Sequence, residues 1–210
     1  MSQENKQRYQ GCDDPREVSD LLFSKKGKIF VDIGACDGFY TFRMAEKFEK
    51  VYAFEPFPAM AKYLRKIAEE RKLKGIEVRE YALGDEEGVK TFYISPRGPR
   101  CHSLLPVGAI KTTVPVTTLN KEFPNIQIDL IKVDVEGAEF QVMLGAREIM
   151  GNVKEWVIEV HNLENILRGY GEADKKHSER KEIMEKILHT FGYETEWITH
   201  LTVHAWRKKE

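Results

Sequence analysis

Cysteine is scarce in this 210-residue chain. Only Cys12, Cys36 and Cys101 occur, scattered and odd in number. That excludes a disulfide scaffold and a cysteine-based zinc site, and it points to a reducing, cytoplasmic compartment. Charge of one sign is also lacking: 33 Lys and Arg face 34 Asp and Glu, a formal net charge of −1. The balance speaks against bulk electrostatic attraction to nucleic acid or to an anionic membrane. No apolar run reaches the roughly 20 residues of a membrane span. The polar start Met1-Ser2-Gln3-Glu4-Asn5-Lys6 has none of the apolar centre of a secretory leader. Repeats, low-complexity tracts and linkers are absent as well, so one domain is expected over residues 28–210. Residues 1–27 read as a polar lead and a short helix.

What is present is alternation. Hydrophobic content of 41% suffices for one sizeable core. A helix is predicted over 15–23, with Val18, Leu21 and Leu22 on its apolar face. Strands follow at 28–33, 51–55, 76–81, 128–134 and 156–161, separated by helices at 40–48, 58–72 and 138–150. An added strand is read at 89–94. Residues 95–110, with Pro96, Gly98, Pro99, Pro106 and Gly108, read as a loop. A charged amphipathic helix at 174–191 turns Ile183, Ile187, Leu188 and Phe191 inward, and strands at 193–197 and 202–207 end the chain. Such alternation implies an α/β fold, a mostly parallel sheet with right-handed crossovers and helices on both faces. The terminal strand pair adds an antiparallel edge.

The strongest local signal is Val31-Asp32-Ile33-Gly34-Ala35-Cys36-Asp37-Gly38, where a strand runs through a Gly-rich turn into a helix. This arrangement presents backbone N–H groups to a nucleotide-like ligand. The spacing is not the G-x-G-x-x-G of a pyrophosphate-binding loop, which argues against a nicotinamide dehydrogenase. Here Gly34 and Gly38 are four apart, and Asp32 precedes the turn. A second apolar run, Val51-Tyr52-Ala53-Phe54, ends at Glu55-Pro56, because Pro56 cannot donate to a sheet ladder. Glu55 then stands at a strand's carboxyl end, where a carboxylate can accept from both hydroxyls of a ribose. A third strand ends at Asp134. A fourth brings Glu159 and His161, two apart and so on one face, to the same crevice.

Together these pieces resemble the FkbM family of class I S-adenosylmethionine-dependent methyltransferases. The resemblance covers roughly residues 28–161, and Ile128-Asp129-Leu130-Ile131-Lys132-Val133-Asp134-Val135-Glu136-Gly137-Ala138-Glu139 is its most specific stretch. It implies a seven-stranded Rossmann-like sheet, with S-adenosylmethionine held by Asp32, Gly34, Ala35 and Gly38. Glu55 and Pro56 lie at the ribose, Ala82 and Leu83 near adenine, and Asp134 in the same crevice. It also implies O-methylation of a sugar or small-metabolite hydroxyl, with RNA or protein acceptors and a non-catalytic cofactor-binding module as the alternatives. Oligomeric state is not encoded in any of these features. The family's Ser-Leu element corresponds to Ser103-Leu104, on a loop expected to form part of the substrate mouth. For the proton of the acceptor hydroxyl, His161 is the candidate base, and Asp134 and Glu159 are candidate catalytic partners. Alternatively, Asp134, Glu136, Glu159 and His161 hold a divalent metal of the Mg²⁺ or Mn²⁺ type. The blander assignments make Glu136 an N-cap, His102 a solvent-exposed loop residue, and the run from Lys175 to Lys181 a solvated helix face. Arg97, Arg100 and Lys111 near the mouth would attract an anionic acceptor.

Overall fold

A computed structural model describes residues 15–95, 102–106, 110–161 and 175–208. The expected lead at 1–14 and the mouth residues Arg97, Arg100 and Cys101 lie outside the described residues. Helix α1 (Arg16–Ser24) leads into strand β1 (Gly27–Ile33), which is followed by α2 (Phe39–Met44), β2 (Phe48–Phe54), α3 (Pro58–Glu70) and β3 (Ile76–Arg79). Next come β4 (Ala82–Leu83), β5 (Gly88–Ile94), β6 (Ile110–Thr117), the short α4 (Leu119–Glu122), β7 (Ile128–Val133), α5 (Glu139–Leu144) and β8 (Val153–Glu159). Helix α6 (Lys175–Thr190) and strands β9 (Tyr193–Trp197) and β10 (Thr202–Arg207) complete the described elements. No helix among the described residues is long and apolar enough to cross a membrane.

Seven strands form the main sheet, in the order β3-β2-β1-β7-β8-β10-β9. Strands β3 through β8 pair in parallel, and β10 is antiparallel to both β8 and β9. The C-terminal strand is therefore the antiparallel one, as its sequence predicts. It lies one place in from the rim, which β9 forms. Strand alternation sends neighbouring residues to opposite faces. Phe30, Leu130 and Val157 pack with Val18, Leu22 and Met44 of α1 and α2. Val31, Ile131 and Trp156 pack with Leu119, Val142, Met184 and Leu188 beneath α4, α5 and α6. The sheet is thus covered on both sides, which explains its continuous apolar strands.

Three sequence readings change. Helix α2 stops at Met44, four residues early, because Phe48 is already in β2 opposite Gly27, with its ring 5.6 Å from Phe30. Helix α5 stops at Leu144 because the Gly145 carbonyl accepts the Asn120 N–H instead of continuing the helix. In α6, Ile183 is half exposed, and the buried stripe runs His177, Met184, Leu188, with half-buried Arg180 between. The added strand expected at 89–94 is β5 of a second sheet, β4-β6-β5, whose other two strands the sequence pattern does not announce. This sheet stands beside the carboxyl ends of the main strands and supplies Ala82, Leu83 and Phe92 to one wall of the site.

Candidate active site

The chain leaves β1 to form β2 and β3 on one side, then returns to form β7 and β8 on the other. Where the order reverses, the strand ends open into a crevice, the usual ligand position in such sheets. Here it is a cavity of about 510 Å³, within the range of roughly 300–1,000 Å³ of small-molecule sites.

One wall is the turn after β1. Gly34 and Ala35 donate their N–H groups to the Phe54 carbonyl at 3.0 and 3.1 Å, binding the turn to the end of β2. Gly34 and Gly38 take φ of 82° and 79°, a left-handed backbone that favours glycine. Asp32 is buried beneath the turn, with Oδ2 accepting from Thr41 Oγ1 at 2.6 Å and Oδ1 without a hydrogen-bond partner among the described residues. Burial raises its pKa, against the pull of Lys132 and Thr41. Glu55 is also buried. It accepts from the N–H groups of Cys36 and Phe57, both at 2.9 Å, through its two oxygens. Burial pushes its carboxyl up to about 7, and those two N–H groups oppose the shift. Each oxygen keeps a lone pair for further donors. Asp32, Gly34, Ala35, Glu55, Pro56, Ala82 and Leu83 all line the cavity, whereas Gly38 stands just behind the lining as the N-cap of α2.

Asp134, Glu136, Glu159 and His161 line the same cavity. His161 Nε2 lies 3.6 Å from Glu136 Oε2, 3.6 Å from Glu159 Oε1 and 3.8 Å from Asp134 Oδ1. Its Nδ1 is 2.8 Å from Glu139 Oε1. Glu139 is wholly buried and also accepts from the Gly137 N–H at 2.7 Å and from Arg180 at 3.1 Å. Burial pulls the imidazole pKa down, but Glu139, Glu159 and Glu136 outweigh it and hold it well above its ordinary value. Burial raises the Glu136 carboxyl to about 7 against the attraction of His161. Lys132, 4% exposed, places its ammonium 2.9 Å from Asp134 Oδ2 and over the Tyr40 ring.

Glu136 does not cap α5. The N-cap position is Ala138, without a side-chain hydrogen bond. Instead, Glu136 has φ of 52°, rare for a non-glycine residue and concentrated at functional sites. Ser103 Oγ fastens its carbonyl at 2.6 Å, which ties the Ser-Leu element to the acid cluster. His102 is not a solvent-exposed loop residue. It lines the cavity, accepts from the Ser95 N–H at 3.1 Å and meets the Phe57 ring edge-on. Glu139, Lys132 and Arg180 were missed as site residues. The charged run around Arg180 implies a solvated face, yet its side chain is 17% exposed and its guanidinium is turned onto Glu139.

The chain matches the family model of the methyltransferase FkbM domain over residues 32–195. Methyltransferase 1 of Beauveria bassiana (strain ARSEF 2860) is 26% identical over 141 residues, 55% of this chain and 57% of that protein. The crystal structure of methyltransferase FkbM from Methylobacillus flagellatus KT has a TM-score of 0.60 at 17% identity, over 94% of this chain and 49% of that one. A Streptococcus mutans protein in complex with S-adenosylhomocysteine gives 0.58 at 13% identity, over 93% and 98%. The chain spans a little over half the length of the curated relative and about half of the Methylobacillus protein. With the family match covering most of its length, the chain belongs to the FkbM methyltransferase family.

Proposed function

We propose that this protein transfers a methyl group from S-adenosylmethionine to a hydroxyl of a sugar or other small metabolite. The observation that carries the reading is the convergence of two acid sets on one cavity. Asp32 and Glu55, by the Gly34–Gly38 turn, line it together with Asp134, Glu159 and His161.

The residues fit the cofactor. Asp32 Oδ1, buried and without a hydrogen-bond partner among the described residues, would take a donor such as the ligand's ammonium group. Glu55 keeps acceptor capacity for two ribose hydroxyls, and Ala82, Leu83 and Phe92 offer an apolar wall to the adenine. When bound, the sulfonium supplies an activated methyl group, whose S–C bond breaks with its electron pair left on sulfur as an O–C bond forms. The protein's share is to hold the acceptor oxygen in line and to receive its proton. Asp134 and Glu159 each bring a carboxylate oxygen within about 4 Å of His161 Nε2, so the acceptor hydroxyl docks there and its proton passes to that group. Such a cluster titrates as a unit, not as one residue.

Calorimetry with S-adenosylmethionine and S-adenosylhomocysteine tests the reading. Micromolar binding to the wild type and its loss in Glu55→Ala are expected. A labelled-methyl screen over sugar, small-metabolite, RNA and protein acceptors then defines the substrate. Absence of binding to the wild type would overturn the proposal.

A further inference from the structure

We infer that Asp134, Glu136 and His161 form a site for one divalent cation of the Mg²⁺ or Mn²⁺ class, with a Glu159 oxygen 3.6 Å from His161 Nε2 beside it. One ligand atom from each of Asp134, Glu136 and His161 lies within 4.8 Å of the others. The separations from His161 Nε2 are 3.6 Å to Glu136 and 3.8 Å to Asp134. Adjacent ligands of an octahedral ion with bonds of about 2.1 Å are about 3 Å apart, and opposed ligands about 4.2 Å. The three atoms therefore surround a point that an ion can occupy after shifts of a few tenths of an ångström.

His161 separates this cluster from an ordinary patch of acids. Both oxygens of Glu139 accept hydrogen bonds, from the Gly137 N–H and from Arg180. With both Glu139 oxygens already accepting, Nδ1–H of His161 is the donor that fits their 2.8 Å contact. The Nε2 atom is then left pointing at the three carboxylates. The side chain is 9% exposed, and Nε2 has no hydrogen bond among the described residues, every contact being 3.6 Å or longer. An imidazolium paired with a carboxylate closes to about 2.8 Å, as Nδ1 does. An Nε2 held open, with its Nδ1–H on a buried carboxylate, is the arrangement found behind metal-bound histidines. Two or three carboxylates with one imidazole favour Mg²⁺ or Mn²⁺ over softer ions.

The role of the cation rests on the proposed methyl transfer. It would polarise the acceptor hydroxyl, whose proton goes to a carboxylate oxygen of Glu159. The oxygen's electron pair then forms the bond to the methyl carbon as the C–S pair stays on sulfur.

The test is titration of the chelator-treated full chain with Mn²⁺, followed by electron paramagnetic resonance and by displacement with Mg²⁺. One Mn²⁺ per chain is expected in the wild type. Glu136→Gln and His161→Asn should each weaken binding at least tenfold, and Glu139→Gln by about 10–100-fold, with S-adenosylhomocysteine binding retained as a control for folding. No stoichiometric Mn²⁺ in the wild type, or equal binding by Glu136→Gln and His161→Asn, would overturn the site. Loss of cofactor binding alone, with Mn²⁺ still bound, would overturn the methyl-transfer reading and leave the cation site standing.

Discussion

The turn at Gly34 is pressed onto the backbone of Asp134 so closely that a Cβ on Gly34 would lie 1.9 Å from the Asp134 carbonyl oxygen. The turn after β1 and the end of β7, which both line the cavity, are thus in direct contact. Gly34→Ala adds this clash to a left-handed φ, and neither relaxes without moving β1 from β7. A loss of about 3 kcal/mol or more is expected. Urea denaturation would measure it, and an unchanged midpoint would show that the two strand ends tolerate separation.

Glu55 should make cofactor affinity depend on pH. Its carboxyl, raised to about 7 by burial, must be ionised to accept hydrogen bonds from a ribose. Binding therefore favours the charged form and releases a proton. Affinity for S-adenosylhomocysteine should fall as pH drops through about 7, at most about tenfold per pH unit, and level off above about pH 8. The folding linkage has the opposite sense. A carboxyl with a raised pKa in the folded state costs stability as pH rises toward about 7, and the ligand's donors offset that cost. Calorimetry in buffers of different ionisation enthalpy would detect the released proton. Glu55→Gln should flatten the profile, and a profile that stays steep in this variant would assign the proton elsewhere.

Arg180→Met should destabilise the fold by about 2–3 kcal/mol, because it strips the cation from a wholly buried Glu139. Changing Lys186, whose pair with Glu182 is exposed, should leave the denaturation midpoint where it is. The double variant Glu139→Gln, Arg180→Met should recover part of the loss, since no buried charge is then stranded. Additive losses would mean that the two side chains act independently.

Tyr193 holds the rim strand to the main body. Its hydroxyl lies 2.5 Å from the Met150 carbonyl and 2.7 Å from that of Val153. Tyr193→Phe removes this donor and should cost about 1–2 kcal/mol, lowering Tm by roughly 2–4 °C per kcal/mol. Differential scanning calorimetry would read it. The Arg207 guanidinium, which also donates to Met150, should keep β9 and β10 paired.

The strand ends were the legible part of this site. Asp32, Glu55, Asp134 and Glu159 each follow or end an apolar run, and a parallel sheet gathers such ends by topology alone. Strand β6 was not legible, because Pro115 argues against a strand. In the fold, β4 reaches only Val116 and Thr117, so at Pro115 the strand has β5 as its one neighbour. Arg180 was hidden for another reason. Its helix is mostly charged, and its buried stripe contains His177 and Arg180 themselves. Apolar periodicity therefore turned Ile183 inward in place of Met184, while Leu188, Ile187 and Phe191 do reach the core. Only the partner Glu139, 41 positions away, explains a buried guanidinium there. The support behind His161 comes from tertiary contact, which no local spacing records.

The reversal of strand order between β1 and β7 has a thermodynamic consequence. Asp32 and Glu55 belong to the half of the sheet built first along the chain, and Asp134, Glu159 and His161 to the half built after β6. Neither half holds a complete pocket, so a chain cleaved or unfolded in either one is blind to the ligand. Any molecule that spans the cavity couples the two halves, and its binding energy appears as stability of the whole sheet. Occupancy should therefore slow amide exchange even in β3, which lies at the far edge from β9 and contributes no residue to the cavity lining.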